Sequence, residues 1–344
     1  GLDTRHHSSA IADRAAYMYT HFGVTYEPYH GAHPFYARDH RGELLGPLKY
    51  SDLWLVIQRC AEMGEANHVI VSADSERWTP LVQFVKWVGQ ESLLDTTAAS
   101  LTTHDLQAPA RISGRLPREG PMRVLARVAK ERLSGRLIFT RDNYGTTERV
   151  EVHVINGVPT FVYSSDPNMQ IPELLASKNL MPRDQMAASV HQCLASERAL
   201  DSVIAEQVGV DVRQWRSVFM KERLMSIFSW GSGAYLFDDE TLPSATRPFA
   251  SSLLSVSKDL IYRALSEDTL LSFLAPYLGA PPQPTELFRG GLVEMRLSQG
   301  QTELLHKVFK ARTIGEGLNV DPQRRRIAAA LLFVAVEADL LRRP

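Results

Sequence analysis

Asn156-Gly157 constrains the fold of this chain more than any other pair of residues. It sits between two β-rich runs, RVEVHVI and VPTFVYSSD. Asn-Gly supplies two consecutive positions that tolerate positive φ, which a two-residue hairpin turn requires. Residues 149–166 are therefore expected to form a hairpin. Upstream, RVLARVAKERLSGRLIFTRD reads as a helix, a turn at Ser134-Gly135 and a strand. Downstream, SWGSGAYLFDD reads again as turn and strand. A small sheet interrupted by a helical block is what this order implies.

The helical block is an internal repeat. Residues 171–192 and 199–220 place apolar side chains alike: Ile171, Leu174, Leu175, Leu180 and Met186 answer Leu200, Val203, Ile204, Val210 and Trp215 within one residue. Each copy reads as helix, short turn, helix, and two such hairpins can bury their apolar stripes together.

The first region begins with IADRAAYMYTHFG, a short helix stopped at Gly23, followed by the strand-like PFYARD. In RGELLGPLKYSDLW, Gly46 permits positive φ and Pro47 fixes φ, so a turn is expected. A helix follows with Ser51 as its N-cap, Leu53, Val56, Ile57 and Cys60 on its apolar face, and Gly64 as its C′ glycine. NHVIVSAD is a strand, and ERWTPLVQFVKWV closes the region. The last region is helical, with Asp321-Pro322 as N-cap and N1 of its final helix. Stretches 105–121, 241–250 and 278–286, rich in Pro and small or polar residues, read as linkers or long connections.

The expected fold class is thus α+β and multidomain. An N-terminal helix and linker over 1–32 precedes a small α+β module over 33–100. A small sheet over 122–240 carries the helical insertion 171–223. A helical, winged-helix-like bundle spans 250–344.

Bulk properties exclude several functions. The 38 basic and 39 acidic side chains leave a net charge of -1, so global charge gives no pull toward nucleic acid or an anionic membrane. Cys60 and Cys193 are the only cysteines, which excludes a disulfide framework and fits a reducing, cytoplasmic setting. The longest apolar run, Ile327 to Val336, is too short to span a bilayer, and no signal peptide pattern opens the chain. The opening GLDTRHHSSA lacks Met and reads as a fragment or processed form.

No catalytic constellation emerges. Six histidines fall within residues 6–40, but none has HExxH or i,i+4 helical context, so no metal is expected. Gly231-Ser232-Gly233 lacks the surroundings of a nucleophile elbow. Pro47 removes a backbone donor where a phosphate loop would need one, and no kinase motifs are present. Arg324, Arg325 and Arg326 occupy only the first turn of an otherwise apolar last helix, which argues against a recognition helix. A non-enzymatic chain without a cofactor is the expectation.

Four resemblances give these patterns a context. RLSGRLIF, VEVHVINGVPTFVYSSD, the helical insertion and LMSIFSWGSGAYLFDDE together resemble PATAN-type domains of bacterial signalling proteins. That family implies a sensory or protein-interaction module without catalytic residues. The repeat resembles the helix pairs of MshEN-type domains, which bind cyclic di-GMP through repeats opening Arg-Leu-Gly. Here the copies open Gln170-Ile171-Pro172 and Arg198-Ala199-Leu200, leaving Arg198 as the one nucleotide contact that resemblance implies. FYARDHRGELLGPLKYSDLWLVIQRCAEMGEANHVIVSADSERWTPL resembles bacterial GYF-like domains, although the Gly-Tyr-Phe triplet itself is absent. This family implies a proline-rich peptide on an aromatic face, and by position that face would hold Tyr36, Pro47, Tyr50, Trp54 and Trp78. Whether Tyr50 and Trp54 face ligand or core stays open. IADRAAYMYTHFG resembles the tail of a bacterial Ser/Thr kinase domain. The expected function is a cytoplasmic bacterial signalling or scaffold module working through protein–protein interaction. The alternatives are a cyclic di-GMP sensor, the regulatory region of a Ser/Thr kinase and a DNA-binding regulator.

Overall fold

A computed structural model describes residues 19–24, 27–89, 112–116, 120–143, 146–182, 184–239 and 251–343. The chain is mixed α+β, with two antiparallel sheets and many helices. In chain order it runs β1 (Phe35–Arg38), β2 (Leu44–Leu48), α1 (Tyr50–Met63), β3 (Ile70–Ser72), β4 (Thr79–Pro80) and α2 (Leu81–Trp87). There follow β5 (Ser113–Leu116), α3 (Pro121–Lys130), β6 (Gly135–Asn143), β7 (Thr146–Ile155) and β8 (Val158–Ser164). Next come α4 (Ile171–Ser177), α5 (Asp184–Ser196), α6 (Leu200–Val208), α7 (Val212–Ser226) and β9 (Gly233–Asp238). The chain ends with α8 (Leu253–Ala264), α9 (Glu267–Leu274), α10 (Phe288–Met295), α11 (Gln299–Lys310), α12 (Ile314–Gly317) and α13 (Pro322–Glu337).

Two compact units emerge, each discontinuous in sequence. One joins the described residues up to 89 with Ser165–Phe219; the other joins those of 106–164 with Met220 onward. The helical interval groups with the first region, and the last region with the larger sheet.

In the first unit the sheet order is β2-β1-β3-β4. Phe35, Ala37, Leu45, Leu48 and Val71 point to one side and are buried with Leu53, Val56, Ile57 and Cys60 of α1 and Leu81, Phe84 and Val85 of α2. The helix begins at Tyr50 rather than after Ser51. Its N-cap is Lys49, whose carbonyl accepts from Asp52 N and Leu53 N, so Ser51 lies in the first turn and caps nothing. Gly64 ends it at φ 70°, the left-handed position expected of a C′ glycine. Most of the N-terminal helix expected over 11–23 lies outside the described residues. Its last turn packs Tyr19 and Phe22 inward, and His21 meets Glu65 at 3.1 Å. The repeat forms two hairpins, α4–α5 and α6–α7, whose first helices are each followed by a residue at positive φ, Asn179 at 57° and Gly209 at 73°.

In the second unit the order is β5-β9-β6-β7-β8, so β9 returns after the helical interval to pair between β5 and β6. Asn156 and Gly157 adopt φ 51° and 73°, the turn that Asn-Gly implies. The stretch 105–121, read as a linker, contains β5, an edge strand anchored by buried Ile112 and Leu116. Residues 241–250 lie outside the described residues. Leu137, Phe139, Val150, Val152, Val154, Tyr235 and Phe237 form one core with α3, α8, α9, α11 and α13. This explains the apolar run of α13, where Ala328 to Val336 are buried apart from Phe333. Asp321 caps that helix as expected, its carboxylate accepting from Arg324 N at 3.1 Å.

Candidate functional site

The five aromatic and proline positions of the first region lie on two different surfaces. The first is the outward side of the small sheet. Strand alternation sends Phe35 and Ala37 inward, so Tyr36 and Arg38 point outward. The register sets Arg38 between Leu44 and Ile70, and Tyr36 opposite Ser72. Trp78 joins them: the Arg38 guanidinium lies over its ring, 4.3 Å from the centroid. Tyr36, Arg38, Ile70 and Trp78 are each half-buried, and Leu44 is 45% exposed.

Two local devices hold this surface. The first is Gly46, where β2 carries an extra residue opposite β1. Gly46 has φ 133°, and a Cβ there would stand 2.8 Å from both the Phe35 carbonyl oxygen and Tyr36 Cδ1. Only glycine lets β2 run this close beneath Tyr36. Pro47, half-buried after a cis bond, accepts from Tyr29 N at 3.2 Å. The second device is Asp74, in the turn that delivers Trp78. Its carboxylate accepts from the backbone N–H groups of Glu76 and Arg77, both at 2.9 Å, while Ser72 Oγ accepts from Ser75 N at 2.9 Å. Those donors, Arg77 N–H and then Glu76 N–H, hold the Asp74 carboxyl well below the usual carboxylate range.

The second surface lies on α1. Tyr50, Trp54 and Gln58 recur every four residues and so share one line along the helix. Trp54 is buried, Tyr50 and Gln58 half-buried. Tyr50 and Trp54 line a small cleft together with Gln170, Ile171, Pro172, Phe84, Val88 and Leu200. What remains open is about 10 Å³, room for at most a single water. Gln58 Nε2 donates to Ser165 O at 2.7 Å, which fixes the start of the same segment. Burial, with the Glu173 carboxylate nearby, pushes the Tyr50 phenol above its usual range. Trp54 Nε1–H is enclosed and, among the described residues, meets no hydrogen-bond acceptor. A buried unmet donor costs about 1–3 kcal/mol.

Arg198 belongs to neither surface. It is exposed at the start of the second repeat copy, and its Nη1 donates to Glu206 at 2.7 Å. In the C-terminal triplet, Arg325 pairs with Glu267, Arg326 donates to the carbonyls of Tyr262 and Leu265, and Arg324 reaches Asp321. Among the described residues no cluster of His, Cys, Asp or Glu could hold a metal ion, and no helix is long and apolar enough to cross a membrane. The thiols of Cys60 and Cys193 are each buried, and burial pushes both up to about 12.

Sequence reasoning missed a buried ionic cluster on the larger sheet. Arg136, Arg149, Glu151, His153 and Tyr163 share one face of β6, β7 and β8, and all are buried. Glu151 meets Arg149 Nε at 2.9 Å, His153 Nε2 at 3.4 Å and Arg136 Nη1 at 3.7 Å, while Arg136 Nη2 donates to Asp238 at 2.8 Å. At the edge of the sheet, Arg223 Nη1 donates to Val162 O at 3.0 Å; burial lowers this guanidinium to about 10. The alternation of charged residues in RVEVHV was the available signal, but alternation alone reads as a solvent-facing side.

No family model, characterised protein or solved structure matches the chain.

Proposed function

We propose that this chain is a non-catalytic signalling or scaffold protein that binds an extended, proline-containing segment of another protein on the outward face of its small sheet. The observation that carries the reading is the Tyr36–Arg38–Trp78 group, flanked by Leu44 and Ile70. Tyr, Trp and Arg are the residue types that dominate binding energy at protein interfaces. Two of them here are held as a stacked pair on a strand and a tight turn. A proline-rich segment suits such a face because it is already extended and loses little entropy on docking. The bacterial cytoplasm is its setting in this reading, since two unpaired cysteines stay reduced there.

Titration with a proline-rich peptide, with Tyr36→Ala and Trp78→Ala as controls, tests this reading. Loss of binding in both variants supports it; binding that survives both removes this face from the account.

A further inference from the structure

We propose that Arg38 reads an acidic side chain, Asp or Glu, in the extended segment that crosses the outward face of the small sheet. The inference rests on the reading of that face as the peptide-binding site, and it names what the peptide must carry.

Arg38 is held in place but not paired. Its guanidinium lies over the Trp78 ring, 4.3 Å from the centroid. Among the described residues it meets no carboxylate and no hydrogen-bond acceptor. Its Nε is enclosed, so the open edge is the one carrying Nη1 and Nη2. The acidic side chains nearest in the two adjoining turns are engaged elsewhere. The Asp39 carboxylate accepts from Arg41 N and Glu43 N, both at 2.9 Å. The Asp74 carboxylate accepts from Glu76 N and Arg77 N and meets Arg77 Nε at 3.3 Å.

A guanidinium with two open N–H groups in one plane matches the two oxygens of a carboxylate. Stacking on Trp78 fixes that plane in advance, so less side-chain freedom is lost when the pair forms. The strand registers set Arg38 between Leu44 and Ile70. A segment laid over these apolar neighbours shields the pair from water and strengthens its attraction. Because β1 is an inner strand, Arg38 lies within the face rather than at its rim. A side chain of a crossing segment reaches it there, whereas a chain terminus would leave part of the face uncovered.

Calorimetric titration of the full chain tests this with two end-capped peptides, Ac-PPPEPPP-NH2 and Ac-PPPQPPP-NH2. A third, Ac-PPPQPPP-OH, carries its only carboxylate at the C-terminus. The Glu peptide is expected to bind the wild type about fivefold or more tightly than the capped Gln peptide. That ratio should shrink as NaCl rises. In Arg38→Gln it should fall to about one. Arg38→Lys keeps the charge but loses the fork, and should keep only part of the ratio. A ratio taken between two peptides on the same variant is not mimicked by a general loss of affinity. If Arg38→Gln fails to fold, Arg38→Lys carries the comparison. Equal affinity of the Glu and capped Gln peptides for the wild type overturns the proposal and leaves the outward-face reading standing. A ratio unchanged in Arg38→Gln, or a free C-terminus that outbinds the internal Glu, does the same. Binding by none of the three peptides overturns both.

Discussion

Arg38 and Trp78 meet across an intervening strand: Trp78 leads into β4, Arg38 ends β1, and β3 lies between them. Such a pair contributes roughly 0.5–1 kcal/mol at a partly exposed site. Arg38→Ala is therefore expected to lower stability by no more than about 1 kcal/mol in urea unfolding, while weakening peptide binding. A loss of several kcal/mol would mean that Arg38 serves the fold rather than a surface.

Gly46 and Gly42 make an internal control. Both have positive φ, but a Cβ at Gly42 meets nothing within 4 Å, whereas at Gly46 it meets the Phe35 carbonyl and the Tyr36 ring at 2.8 Å. Gly42→Ala is expected to cost about 1 kcal/mol of backbone preference, and Gly46→Ala at least about 2 kcal/mol, since strain and displacement of Tyr36 add. Chemical denaturation of both variants checks the order, and equal costs would contradict the contact.

Asp74 gives a pH-dependent prediction. Its folded carboxyl is held below the unfolded value by the N–H groups of Arg77 and Glu76. The stabilisation is complete above the unfolded pKa of about 3.9 and is lost as pH falls below it toward the folded value. The difference in melting temperature between wild type and Asp74→Ala should be widest near neutrality and narrow below about pH 4. A gap that widens on acidification would reverse the sign and refute the assignment.

The buried cluster predicts the largest single effect. Glu151 is fully buried between Arg149, Arg136 and His153. Glu151→Gln removes the charge and leaves cations facing one another, at a cost of roughly 3–5 kcal/mol. Arg198→Ala, which breaks an exposed pair with Glu206, should cost about 0–1 kcal/mol. Urea midpoints of the two variants test the contrast.

Local chemistry made part of this fold legible. Asn156-Gly157 has few conformations open to it, Asp321-Pro322 marks a helix start by capping and by a missing N–H, and the matching apolar stripes gave the two hairpins. The rest depended on partners distant in sequence. β5 has only Ile112 and Leu116 to anchor it, so its pattern is too short to register as a strand. Charges alternating along β7 are read as solvent-facing, and their burial depends on contacts the alternation does not encode. The resemblance places Tyr36, Tyr50, Trp54 and Trp78 on one aromatic face and leaves open whether Tyr50 and Trp54 meet ligand or core. The segment that lines the cleft with the latter pair, Gln170-Ile171-Pro172, lies more than a hundred residues along the chain, so no local pattern could separate the two sets.

The most direct measurement is an NMR titration of the full chain with a proline-rich peptide, following Tyr36, the Trp78 indole and the Trp54 indole together. The account predicts saturable shifts at Tyr36 and Trp78, lost in Trp78→Ala, with the enclosed Trp54 indole unmoved. Spectra unchanged at Tyr36 and Trp78 under saturating peptide would contradict it.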